Sequence, residues 1–246
     1  MEDSLKHHNT ENLLNQLRIC IANDYLPSDN CYIILWHIYK QLIKTGESSI
    51  NFRQLIGSSE VLKKDLIPML VAVNDSKILS VLIKVLTNLI TPIECIILDT
   101  KQHVNRFEHS NVIKLKQLLL KSKIWWTDSR SIKRIIQIIK KYIEELSKPL
   151  GCFSIYAVPI ISDCLLLIRN ILIVDDDQCQ RRMLLILFCE QFGETLMVLI
   201  HNSLRRKWAA QVIELIALVF QNDEVAAKMN TIIINYSKNN MASYYP

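Results

Sequence analysis

Two stretches of this chain are apolar almost all the way round a helix: Val81-Leu82-Ile83-Lys84-Val85-Leu86-Thr87-Asn88-Leu89 and Leu165-Leu166-Leu167-Ile168-Arg169-Asn170-Ile171-Leu172. A helix without a polar face has to be covered by other helices. Each stretch also carries one Asn near its C-terminal end, and an amide inside such a helix needs hydrogen-bond partners or it costs stability. Stacked helical repeats meet both demands, because the innermost helix of each repeat is covered on both sides. The fold expected is all-α, an armadillo/HEAT-like right-handed α-solenoid. Asn88 and Asn170 are expected as structural positions, with Asn88 tying its helix to a neighbouring turn.

Half of the 246 residues are hydrophobic and 22% are charged, enough for a sizeable core. The 4 Gly are dispersed at Gly46, Gly57, Gly151 and Gly193, which argues against turn-rich sandwiches and barrels and excludes a Gly-rich phosphate loop. The six His (His7, His8, His37, His103, His109, His201) do not fall at metal-ligand spacing, and there is no Gly-x-Ser-x-Gly elbow. Asp175-Asp176-Asp177 reads as a solvated loop favouring the next helix start rather than a metal site. No catalytic residue, metal or cofactor is expected, and no small-molecule substrate. The 7 Cys form no Cys-x-x-Cys pair, and most, such as Cys20, Cys95, Cys164 and Cys189, sit in apolar stretches. They read as small core residues in a reducing compartment.

The acidic, polar start Met1-Glu2-Asp3-Ser4 carries no secretory signal, and Pro159, Asp163, Arg169 and Asn170 interrupt the longest greasy stretch, so no membrane span is expected. Residues 1–9 and 237–246 read as loose tails around one helical domain over 10–236. Within it the first helix is expected from about Thr10, exposing Leu13, Leu14, Leu17 and Cys20 on one side. Ser28 or Asp29 then caps a second helix that buries Ile34, Leu35, Ile38 and Leu42. A third, Ile50 to Ile56, stops at Gly57. Asp65 is placed to cap a helix with Pro68 in its first turn, and Ser76 opens the helix that ends in Asn88. Thr91-Pro92-Ile93-Glu94 reads as cap, first helical position and capping box. Ser110 and Ser131 open two more helices, the latter with an apolar stripe of Ile132, Ile135, Ile136, Ile139, Ile143 and Leu146. Asp177 with Gln180 caps the helix that stops near Gly193, and helices around Leu196–Ile200 and Trp208–Phe220 follow. No strand is expected.

The net charge of +5, from 29 basic and 24 acidic residues, permits an acidic partner or nucleic acid without requiring either. Lys133, Arg134, Lys140 and Lys141 lie opposite the isoleucine stripe, partly explained by Lys140–Glu144 and Lys141–Glu145 pairs. Arg205, Arg206 and Lys207 precede Trp208, a pattern that suits weak DNA contact as well as a cationic loop before a core helix. Both clusters are candidate partner or DNA surfaces. Trp125-Trp126 is expected to seal a joint between two helices.

Phe52-Arg53, Ile56-Gly57, Asp65-Leu66-Ile67-Pro68-Met69-Leu70, Val85-Leu86-Thr87-Asn88-Leu89 and Pro92-Ile93-Glu94-Cys95 resemble the N-terminal domain of the Timeless family. Leu165 to Leu172 resembles that domain's second signature, and Ile213-Glu214-Leu215-Ile216-Ala217-Leu218-Val219-Phe220 its last helix. The resemblance runs from about residue 25 to residue 235. It implies an armadillo/HEAT-like α-solenoid without catalytic activity. One branch of the family is circadian, with Period and cryptochrome as partners and movement between cytoplasm and nucleus. The other protects replication forks with Tipin and replisome proteins, in checkpoint signalling and chromosome cohesion. Pro92-Ile93-Glu94-Cys95, Leu118 to Lys123 with Ser129 to Lys133, and Leu215 to Leu218 are closer to the circadian form. Family members are several times longer, so the chain reads as a domain, a fragment or a shortened paralogue.

Overall fold

The computed structural model describes residues 14, 16–21, 24–44, 46–98, 109–147, 155–173 and 176–220. Among the described residues the regular structure is helical apart from one short hairpin. In order come β1 (Arg18–Ile21), β2 (Asp24–Pro27), α1 (Cys31–Leu42), α2 (Glu47–Ser58), a π-helical turn (Leu62–Leu66), α3 (Ile67–Ala72), α4 (Ser76–Leu89), α5 (Ile93–Leu98) and α6 (His109–Ile124). A 3-10 turn (Trp125–Thr127) leads to α7 (Ser129–Leu146), α8 (Ala157–Leu172), α9 (Asp177–Cys189), α10 (Phe192–His201), a 3-10 turn (Arg205–Lys207) and α11 (Ala209–Phe220). Two compact units divide the chain, Met1–Trp125 and Trp126–Pro246. Both expected tails lie outside the described residues, as does the break expected at Pro149 and Gly151.

In the first unit the all-round apolar helix is α4. It packs on α1, α3 and the π turn, and Val81, Leu82, Ile83, Val85, Leu86 and Leu89 are all buried. On its other side α1 touches α2, which packs against α6. In the second unit the all-round apolar helix is α8, which packs on α7, α9 and α11. Its Ile160, Ile161, Cys164, Leu165, Leu167, Ile168 and Ile171 are buried. The isoleucine stripe of α7 is inside as expected, except that Leu146 is only half-buried.

Several expected details are corrected. Residues 18–21 of the first expected helix form a strand, antiparallel to β2, with Ile21 opposite Asp24 and Arg18 opposite Pro27. The Leu14/Leu17/Cys20 spacing suits a helix. Ile19 and Ile21, however, favour extended backbone, and two residues between the strands suffice for a hairpin. Ser28 does not cap α1: its hydroxyl donates to Gln16 O at 2.5 Å, and Asn30 stands at the cap without a side-chain bond. Gly57 does not end α2. The helix runs on to Ser58, and Glu60, at φ 57°, takes the left-handed position beyond it.

Asp65 does not cap α3 but lies inside the π turn, where Ile67 N–H donates to Leu62 O, an i→i+5 bond. The widened turn feeds directly into Pro68 in the first turn of α3, whose missing N–H costs little there. Ser76 and Asp177 are each one residue past the cap. Asp75 accepts from Lys77 N and Ile78 N at 2.8 and 2.9 Å, and Asp176 accepts from Cys179 N at 2.9 Å. Asp128 likewise caps α7 by accepting from Arg130 N at 3.0 Å, three residues before Ser131. Gly193 lies inside α10, and the chain turns between α9 and α10 at Gln191, in left-handed conformation.

Candidate interaction surface

Asn88 is half-buried, and its amide donates to Lys84 O of its own helix at 2.8 Å, so the side chain does not reach a neighbouring turn. The tie runs the other way. Arg53, on α2, donates from Nη1 to the backbone carbonyl of Asn88 and from Nη2 to Leu42 O at 3.0 Å. These carbonyls lie at the C-terminal ends of α4 and α1, where unsatisfied oxygens carry the negative end of each helix dipole. One buried guanidinium thus closes two helices. Arg53 is 6% exposed, and burial pushes its pKa down to about 10, which still leaves it cationic at neutral pH. Ser49 Oγ adds a bond to Leu42 O at 3.2 Å.

Sequence reasoning gave Arg53 no role of its own. The available signal was a cation at the middle of an Ile50/Arg53/Ile56 spacing, on the face of α2 that goes inside.

Thr91, Pro92 and Glu94 do not form the expected capping box. Thr91 Oγ1 donates to Thr87 O at 3.0 Å, which closes α4 rather than opening α5. Pro92 precedes α5, and its carbonyl accepts from Ile96 N at 3.4 Å, so it occupies the cap position instead of the first helical one. Glu94 is exposed. Asn170 is 2% exposed, and Arg169 Nη1 donates to its Oδ1 at 3.1 Å. Arg169 Nε also meets Glu214 at 2.7 Å, which joins α8 to α11.

All seven candidate surface cations lie in the second unit. Lys133 pairs with Glu190, the residue just past the end of α9, at 3.4 Å. The expected Lys140–Glu144 and Lys141–Glu145 pairs are not among the ion pairs of the described residues; Lys141 instead lies 5.3 Å from the ring centroid of Tyr142. Arg134 is half-buried. Arg205, Arg206 and Lys207 are exposed together on the 3-10 turn, and none pairs with an acid among the described residues. The turn is anchored by Trp208, fully buried, whose Nε1 donates to Leu199 O at 3.0 Å. Trp126 is fully buried too, while Trp125 is half-buried with Lys121 Nζ 5.9 Å from its ring.

An apolar surface that the sequence reading left out lies on α1. Its inner residues Ile34, Leu35, Ile38 and Leu42 are buried as expected. Tyr32, Ile33, Trp36 and Ile43 face outward, Ile33 at 66% exposure, with Tyr39 beside Trp36 and Lys40 over its ring. Apolar residues at the outward positions of α1 as well as the inward ones are the signal that could have found it.

Among the described residues no group of three or more His, Cys, Asp or Glu could hold a metal ion, and no single helix is long and apolar enough to cross a membrane. Cys31, Cys95, Cys164, Cys179 and Cys189 are free thiols, and complete burial pushes the pKa of the Cys164 thiol up.

A model of the Timeless protein family matches residues 24–241. Over 225 residues the chain is 28% identical to Protein timeless of Drosophila melanogaster, an alignment that covers 84% of this chain and 16% of that protein. The chain therefore spans about one sixth of the length of this curated relative. An engineered protein of known structure aligns over 91% of this chain and 97% of its own, but at 11% identity and a TM-score of 0.29 it carries no argument about the fold. The family match spans all but the first 23 and the last few residues, from β2 through α11, and on it the chain belongs to the Timeless family.

Proposed function

We propose that this chain is a non-enzymatic interaction scaffold of the circadian type, which binds Period-like and cryptochrome-like proteins through its outer helical surfaces. The observation that carries this reading is the 28% identity to Drosophila Protein timeless, together with the family match over residues 24–241. On the same reading the helices stack as an armadillo/HEAT-like right-handed solenoid, and the protein works in the nucleus, shuttling with the cytoplasm. The apolar outer face of α1 fits such a role, since exposed apolar surface of this kind marks interaction sites.

A second reading, a fork-protection scaffold with a Tipin-like partner and replisome proteins, draws on one observation. Arg205, Arg206 and Lys207 stand exposed on a single turn, without acidic partners among the described residues, which suits phosphate contacts. Affinity purification from the source cells decides between them. Recovery of Period-like or cryptochrome-like proteins supports the first; recovery of Tipin-like and replisome proteins overturns it in favour of the second.

A further inference from the structure

The outer side of α1 carries two chemistries next to one another. Tyr32, Trp36, Tyr39 and Ile43 recur at i, i+4, i+7 and i+11, so they form one line along the helix and its last turn. Ile33, His37, Lys40 and Lys44 recur at the same spacing, about 100° round from the first line. All of these except half-buried Tyr39 are exposed, Ile33 at 66% and Ile43 at 50%. The Trp36 and Tyr39 rings lie 5.3 Å apart, and Lys40 Nζ stands 5.7 Å from the Trp36 ring, which brings the apolar and cationic lines together at the middle of the face. From Asn30 to Lys44 there is no Asp or Glu. Lys40 and Lys44 make no ion pair among the described residues. The acid that precedes this run, Asp29, stands before the helix start, at the end away from Lys44.

Charge and shape together select the occupant. A second copy of this face would bring the same lysines and no acid to a self-complementary contact. A nucleic-acid backbone would meet the lysines but set its phosphates against Ile33 and Ile43, whose burial needs an apolar surface. A protein segment that is apolar on one line and acidic on the next satisfies both. Exposed Trp and Tyr are the residue types that anchor protein contacts, and a ridge of about three turns is matched in length and spacing by another helix packed along it. We propose that this face of α1 docks an amphipathic helix of a protein partner, its apolar stripe on Tyr32, Ile33, Trp36 and Ile43 and its Asp or Glu residues against Lys40 and Lys44. The inference rests on the reading of the chain as a protein-interaction scaffold and adds the place and the chemistry of the contact.

The test is fluorescence anisotropy of three labelled peptides on the 246-residue chain, each about 18 residues, or five helical turns, and stapled as a helix. Two carry Leu at i, i+4, i+7 and i+11, one flanked by Glu and the other by Lys; the third is the acidic composition in scrambled order. The acidic striped peptide is expected to bind saturably, about tenfold tighter than either of the others, and Ile33→Glu to weaken it about tenfold. Lys40→Glu with Lys44→Glu is expected to turn the preference toward the Lys peptide, with circular dichroism unchanged. No binding, equal affinity for the two striped peptides, or indifference to Ile33→Glu overturns the proposal. So does a DNA oligonucleotide whose binding Lys40→Glu with Lys44→Glu abolishes while the peptides stay silent, or a dimer in sedimentation that Ile33→Glu dissolves. Co-purification keeps this failure distinct from that of the scaffold reading. Protein partners recovered equally by the parent and by Ile33→Glu remove the α1 face alone, whereas recovery of no protein partner by either removes the scaffold reading.

Discussion

At the scale of the residue, Arg53 and Asn88 exchange the roles that composition alone would give them. An amide in a greasy helix invites the reading that its side chain carries the tertiary bond. Here the backbone oxygen carries it and the side chain is spent locally on Lys84 O. Asn88→Leu should therefore cost less than about 1 kcal/mol, the net worth of one exchangeable hydrogen bond. Arg53→Met should cost about 2–3 kcal/mol, since it removes charge-assisted bonds to two helix-terminal carbonyls, which keep only the longer bonds from Ser49 Oγ and Thr91 N. Urea denaturation of both variants checks the order, and an Asn88→Leu loss larger than that of Arg53→Met would refute it. The sequence made Asn88 visible because it is polar in an apolar run. It left Arg53 in the background because a cation among Phe52, Gln54 and Leu55 looks like an ordinary surface residue until the face of the helix is known.

At the scale of the element, the helices were legible and their ends were not. Periodicity marks which face goes inside, and that survives an error of one residue in a boundary. Caps do not survive it. Ser76 and Asp177 look as good as their neighbours in sequence, and only the extended backbone at Asp75 and Asp176 brings a carboxylate onto the first free N–H groups. Asp75→Ala and Asp176→Ala should each lose about 1 kcal/mol, while Ser76→Ala should stay within about 0.5 kcal/mol of the parent; thermal melts give the comparison.

Gly57 misled for a different reason. A glycine near a helix end reads as a stop, yet here it lets α6 approach: a Cβ at Gly57 would lie 3.2 Å from Leu118 Cβ and 3.3 Å from its Cδ1. Gly57→Val should cost about 1–3 kcal/mol by overpacking. Combining it with Leu118→Ala should cost less than the sum of the two single changes, and a strictly additive double-mutant cycle would remove the contact from the account.

At the scale of the whole molecule, the feature that most limited the fold also located its cores. The two all-round apolar stretches became α4 and α8, and each is the helix on which its own compact unit is packed. The hairpin at residues 18–27 was missed because four-residue strands carry too little pattern to compete with a helical spacing that runs through them. The surface was the least legible level, since charge counts do not say which cations are already neutralised. Lys133 is engaged with Glu190, whereas Arg205, Arg206 and Lys207 are not paired among the described residues.

That difference yields a prediction separating the two scaffold readings. Three phosphate contacts give a slope of log affinity against log salt of at most about −2.7 on duplex DNA. Reversing Arg205, Arg206 and Lys207 to Glu should abolish that salt-dependent DNA binding and leave recovery of Period-like or cryptochrome-like proteins unchanged. Fluorescence anisotropy across a salt series reads the first quantity, and co-purification reads the second. If the triple reversal instead removes the protein partner, the turn before Trp208 belongs to the protein-binding face and the DNA reading loses its one structural support.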